Sequence, residues 1–256
     1  MKIKWYGTAS VGVTDEITNK KILFDPFVPL LGSRINVKYN DFDEYDEIFI
    51  THGHFDHIGS LKKLCKIKPR KIYCTKTPYN TLLKKGINKD YLILIQPNDV
   101  YNIGPFEVKA IQSKHIVFDK GALRDIILNL RSYLYIHNVP FCAIENKRCL
   151  ENGETLLYYV KCNDKSLITM GSLGICDDID YPQECDIFLM PYQGKKDLLT
   201  TAKEIISKLS PKRISLIHWD NSFPPVSKTV DTNDIEKYLL GKIDLIKPNY
   251  KEVIDV

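Results

Sequence analysis

The sequence predicts an α/β fold with a two-sheet core in a single domain spanning 1–256, and three observations carry that expectation. Short β-branched and aromatic runs recur along the chain, and helix-patterned stretches lie between several of them. At 256 residues, with 44% hydrophobic and 27% charged content, the chain is also long enough to bury two sheets. The N-terminus, Met1 to Gly7, carries no apolar leader and no run approaches the length of a membrane span, so a cytoplasmic protein with no membrane partner is expected. Seven cysteines, an odd number with no Cys-x-x-Cys pair, argue against a disulfide framework and against a thiolate zinc site.

The chain opens with Lys2 to Thr14, alternating and glycine-punctuated like two antiparallel strands joined by a turn. Lys21 to Phe27 reads as a third strand, with Asp25 before a proline as an ordinary turn former. Residues 28–45, rich in Gly, Asn and Asp, are expected to form an irregular loop over the mouth of a site. Glu47 to Thr51 is a short buried strand that runs into His52-Gly53-His54-Phe55-Asp56-His57, which holds three of the six histidines and a carboxylate. Alternate side chains of an extended chain share a face, so His52 and His54 can converge on one ion. Asp56 and His57 lie at the start of the helix-like stretch Ile58 to Leu64 and point at a neighbouring position. Imidazole nitrogen with carboxylate oxygen suits zinc, one ion or two, with manganese or iron(II) as alternatives. A polar loop with surface histidines is the plain alternative.

Lys71 to Thr75 and Pro78 to Lys85 follow as strand and helix, then Tyr91 to Ile95 as a strand, a turn at Gln96 to Asp99, and a strand from Phe106 to Ile111 that leads to His115. The 116–153 segment is long and helical in pattern, with an amphipathic stretch from Leu123 to Arg131, and reads as an insertion over the site or a contact between copies in a homo-oligomer. His137 within it is read as structural or exposed. Thr155 to Val160 and Lys165 to Met170 are strands, the second ending at Gly171-Ser172. Asp186 to Tyr192, a helix from Thr200 to Leu209, and a strand from Lys212 into His218-Trp219-Asp220 close the readable part. A lone histidine such as His115 or His218 is, on its own, more often a core or surface residue than a ligand.

His-x-His-x-Asp-His after a short hydrophobic strand resembles the signature of the metallo-β-lactamase-fold hydrolases, and the other parts fall at matching points nearly along the whole chain. The resemblance implies a four-layer αββα sandwich, with His52, His54 and His115 on a first metal and Asp56, His57 and His218 on a second. It implies that Asp25 braces the metal loop from outside the ligand set, and that Asp56 is catalytic, coordinating one ion and holding the attacking water in line. The chain departs from the commonest pattern at Ser172, where an aspartate usually bridges the metals. A neutral hydroxyl adds no charge between two cations, so either the second site is weak or another carboxylate serves it. Asp220, two residues beyond His218, is the candidate for an extended chain, and a loop cap is its alternative. Some compact members likewise join Gly-Ser to His-Trp-Asp, and the likeness is greatest to the compact single-domain, ascorbate-phosphate lactonase-like group.

Three functions follow as expectations. The first is a metal-dependent hydrolase of a small, anionic ester, lactone or phosphodiester. The second is a phosphodiesterase or nuclease on nucleic acid, motivated by ten basic residues between Lys62 and Lys89. For that run a solvated pair of helix faces is the better account, so a nucleic-acid partner is the lesser reading. The third is a non-enzymatic metal or ligand binder, motivated by Ser172. Fold analogy cannot choose among them.

Overall fold

The computed structural model of the chain describes residues 1–116, 135–195 and 197–256. Two seven-stranded sheets form its centre. The first runs in the order β14 (Val253–Asp255), β1 (Lys2–Trp5), β2 (Val11–Thr14), β3 (Lys21–Phe24), β4 (Glu47–Phe49), β5 (Lys71–Cys74), β6 (Leu92–Leu94). The second runs β13 (Asp244–Ile246), β12 (Arg213–Ile217), β11 (Ile187–Pro191), β10 (Lys165–Met170), β9 (Leu156–Cys162), β8 (Phe106–Gln112), β7 (Val100–Ile103). Each sheet is antiparallel on one side and parallel on the other, the change falling at β3 in the first and β10 in the second.

The inner faces meet in one apolar core. Val11, Phe24, Phe49 and Tyr73 of the first sheet pack with Phe106, Val108, Tyr158, Leu167 and Leu189 of the second. Tyr158 adds a polar tie, its hydroxyl donating to the Ile50 carbonyl at 2.6 Å. The parallel strands are buried on both faces, which is why they read as unbroken apolar runs rather than as alternations. Outside the first sheet lie α1 (Phe55–Ile58), α2 (Leu61–Ile67), α3 (Lys76–Lys84) and α4 (Asn138–Arg148), sharing a second cluster with Leu23, Ile48 and Ile72. Outside the second sheet lie α5 (Leu198–Leu209) and α6 (Asn233–Leu239), which pack against Ile168, Phe188 and Leu216. The order is helices, sheet, sheet, helices: an αββα sandwich.

Three expectations are revised or left aside. The 28–45 loop is not open: Ile35, Val37, Phe42 and Tyr45 are buried, a 3₁₀ turn forms at Tyr39–Phe42, and the Tyr45 hydroxyl meets that of Tyr6 at 2.9 Å. Those four residues stand singly among polar ones, so no sustained local period signals their burial. Its early part does reach the rim of the strand ends, where the Leu30 N–H donates to the Ser222 carbonyl at 2.8 Å. Of the basic segment, Arg70 is buried and donates to the carbonyls of Tyr45, Leu64, Lys68 and Phe42, while Lys68, Lys71 and Lys85 face Asp46, Glu47 and Glu145. Leu123 to Arg131 lies outside the described residues. Among the described residues no helix is long and apolar enough to cross a membrane, and all seven cysteines are free.

Candidate metal centre

The strand ends gather the chemistry. Asp25 follows β3, Thr51 to His57 follow β4, His115 follows β8, Gly171 and Ser172 follow β10, and His218 follows β12. In open α/β sheets this carboxyl edge is where ligands bind, because loops there can converge without disturbing the packed strands. The structure brings together His52, His54 and His115 as one group and Asp56, His57 and His218 as another, with the ligand-capable atoms of each group within 4.8 Å of one another. The groups adjoin, since the His52 and His57 ring centres are 3.9 Å apart.

Hydrogen bonds orient the rings. Asp25 is fully buried; its Oδ1 accepts the Thr51 N–H at 2.8 Å and its Oδ2 accepts the Thr51 hydroxyl at 2.6 Å. Having donated its proton there, Thr51 Oγ1 is an acceptor for His52 Nδ1 at 3.0 Å, which leaves His52 Nε2 turned to the group, 3.2 Å from His54 Nδ1. His57 Nδ1 donates to Asp25 Oδ2 at 2.9 Å and its Nε2 faces Asp56 Oδ2 at 3.6 Å. His115 Nδ1 lies 2.7 Å from the Ile116 carbonyl, so it is the donor and Nε2 is the lone-pair nitrogen. His218 Nδ1 meets Gln193 Oε1 at 2.9 Å, and its Nε2 lies 3.1 Å from Asp56 Oδ2. These tautomers follow from the network.

Electrostatics point the same way. Burial holds the His52 imidazole well below its ordinary range, and burial with His115 and His57 nearby brings His54 down to about 4. Burial also lowers His115. These rings are therefore neutral at pH 7, as ligands must be. Burial opposes charge at both His57 and Asp56, but the Asp56 and Asp25 carboxylates outweigh it and raise His57, while His57, His218 and His54 hold Asp56 well below the carboxylate range. Buried and half-buried imidazoles and one ionised carboxylate, most with their outer atoms already engaged, fit a first-row divalent ion.

Two candidate residues are placed differently from a bridging carboxylate. Asp220 is in neither group: it is fully buried, accepts the Thr8 N–H at 2.8 Å through Oδ1, and accepts the Ser222 hydroxyl through Oδ2. The expectation that it faces the second ion assumed an extended chain, but His218 has a left-handed backbone with φ 55° and the alternation breaks there. Asp220 instead braces the loop from which the Thr8 carbonyl accepts the His218 N–H at 2.8 Å. The Ser172 hydroxyl accepts the Ile116 N–H at 3.0 Å and so ties the end of β10 to the segment carrying His115. Gln193 carries no motif, and only its place two residues past a strand end hinted at a role.

The model of the metallo-β-lactamase superfamily matches residues 8–124, which include every motif residue through His115. A UPF0173 metal-dependent hydrolase of Pyrococcus abyssi is 26% identical over 257 residues, 97% of this chain and 97% of that protein. Over residues 8–124 the chain is similar to the metallo-β-lactamase superfamily, and its likeness to a metal-dependent hydrolase extends over nearly its whole length. A second relative, a UPF0173 metal-dependent hydrolase of Methylacidiphilum infernorum, is 29% identical over 229 residues, 86% of this chain and 85% of its own. The solved structure of Igni18, described as a novel metallo hydrolase from Ignicoccus hospitalis, superposes with a TM-score of 0.68 at 17% identity, covering 99% of this chain and 97% of that one. That likeness bears on the fold alone.

Proposed function

We propose that this protein is a metal-dependent hydrolase of the metallo-β-lactamase superfamily and acts on a small ester, lactone or phosphodiester through two adjoining ions. His52, His54 and His115 hold the first ion, and Asp56, His57 and His218 hold the second. The observation that carries the reading is the ring network: each of His52, His57, His115 and His218 has Nδ1 engaged outward, which turns Nε2 inward toward its group. Zinc is the proposed ion, with manganese or iron(II) as alternatives, since the donor set suits all three. Divalent ions at such sites make water a nucleophile at neutral pH and polarise a scissile carbonyl or phosphoryl oxygen.

The chain supplies the rest. Ionised Asp56 accepts a hydrogen bond from the attacking water and aligns it, and Asp25 keeps Thr51, His52 and His57 in register. The nucleic-acid reading loses support because four of the basic residues that prompted it have partners inside the fold.

The test compares wild type with His54→Ala, purified without chelator. Elemental analysis should find a first-row ion in wild type and a clear loss in the variant, and wild type should turn over at least one substrate in a panel of generic lactones, esters and phosphodiesters. Equal metal content in the two proteins defeats the ligand assignment, and metal without turnover favours the binding-protein reading.

A further inference from the structure

The side-chain amide of Gln193 lies between two backbone carbonyls and a ring nitrogen of His218, and only one orientation satisfies all three. Its nitrogen is 3.0 Å from the Lys228 carbonyl and 3.4 Å from the Asp220 carbonyl, so it must be the NH₂ that faces them. Turning the amide over would set an oxygen against two carbonyl oxygens. Oε1 is therefore the atom 2.9 Å from His218 Nδ1, and an amide oxygen accepts but cannot donate. Nδ1 must carry the proton.

We infer that Gln193 is the positioning residue that fixes the His218 ring with Nδ1 protonated and Nε2 presented to Asp56 and His57. The inference rests on the metal reading for its consequence, and on the amide geometry alone for its cause. His218 needs such a hold. Its backbone is left-handed, a conformation that is costly for a non-glycine residue and persists only where its surroundings enforce it. The Thr8 carbonyl restrains the backbone and Gln193 restrains the ring, so the two contacts act on different freedoms of one residue. Gln193 is in turn held by two carbonyls on opposite sides of the Asn221 to Ser227 loop, which ties ring orientation to the closure of that loop.

Two substitutions separate the orienting role from a space-filling one. Gln193→Leu keeps the volume but removes the acceptor, whereas Gln193→Glu keeps the acceptor and loses the donors to Lys228 and Asp220. Zinc is titrated into each metal-free protein, and the exchange of the His218 Nδ1 proton is followed by ring-nitrogen NMR before zinc is added. The second zinc equivalent should weaken by about 10–100-fold in Gln193→Leu, in the range seen when a ligand histidine loses its outer partner. In Gln193→Glu, which keeps an acceptor for His218 Nδ1 but sets an oxygen against the two carbonyls, the second equivalent should weaken clearly less than in Gln193→Leu, with the first equivalent unchanged throughout. The Nδ1 proton should be protected in wild type and Gln193→Glu, and exchange freely in Gln193→Leu. Equal losses in the two variants, or no loss in either, overturns the inference. Wild type that takes no second zinc defeats the two-ion reading instead, and the proton-exchange comparison then decides Gln193 by itself.

Discussion

Asp56 is a carboxylate almost wholly removed from water, and burial alone would push it toward the neutral acid. His57 at 3.6 Å and His218 at 3.1 Å reverse that balance and keep it charged. Asp56→Asn keeps the shape, removes the charge and replaces one acceptor oxygen with a donor. At matched occupancy of the first ion, turnover should fall by at least about 100-fold, the lower end of what an aligned base contributes. The second ion should also bind more weakly. Turnover within a few-fold of wild type, measured on whichever ester, lactone or phosphodiester is cleaved, removes Asp56 from the mechanism. Asp220 is the contrasting case: burial raises its carboxyl, and its two oxygens serve Thr8 and Ser222, so it works on the loop and not on the reacting groups.

At the scale of elements, the ends of β3, β4 and β10 meet at Thr51, and glycine is required where they touch. A Cβ on Gly171 would overlap Thr51 Oγ1 and lie 3.0 Å from Asp25 Oδ2, the two atoms that orient His52 and His57. Gly171→Ala should destabilise the fold by about 1–3 kcal/mol, as overpacking does, and weaken both ions, because Thr51 cannot move without turning His52. Denaturant unfolding and zinc titration check both parts; a stable variant with wild-type affinity would show that the three ends are less tightly coupled than their contacts indicate. Most of these elements were legible in the sequence. The strands leading to Asp25, Thr51, Gly171 and His218 are short, apolar and bounded by turn residues, so periodicity and composition find them within one to three residues. β14 was not legible, because three residues near the C-terminus, Val253 to Asp255, acquire their meaning only by pairing with β1 at the other end of the chain. β7 was hidden in what read as the far side of a turn, with Val100 and Asn102 exposed and little apolar contrast. Gln193 was missed for a related reason: its role depends on carbonyls at 220 and 228, which no local pattern connects to it.

Across the whole molecule, each proposed ion would be held from both sheets. His52, His54, Asp56 and His57 leave the first sheet, His115 and His218 leave the second, and the two sheets otherwise adhere through an apolar interface and a few polar ties such as Tyr158 to Ile50. Separating the sheets would therefore break both sites, and an ion that binds the folded chain but not the unfolded one adds RT ln(1 + [L]/Kd) to stability. At a free zinc concentration 100 times Kd that is about 2.7 kcal/mol for one site. For a domain of this size each kcal/mol moves the melting temperature by about 2–4 °C, so stripping the metal should lower Tm by roughly 5–10 °C, and restoring zinc should recover it. In His54→Ala the shift should shrink, since the first group has lost one of three ligands. His137→Ala, at the start of α4, supplies the control and should melt as wild type does with and without zinc. Calorimetry with chelator and with added zinc makes the measurement. If wild type melts at one temperature in both, the histidines that converge between the sheets do not join them through a metal, and the clustering must be explained by packing and hydrogen bonding alone.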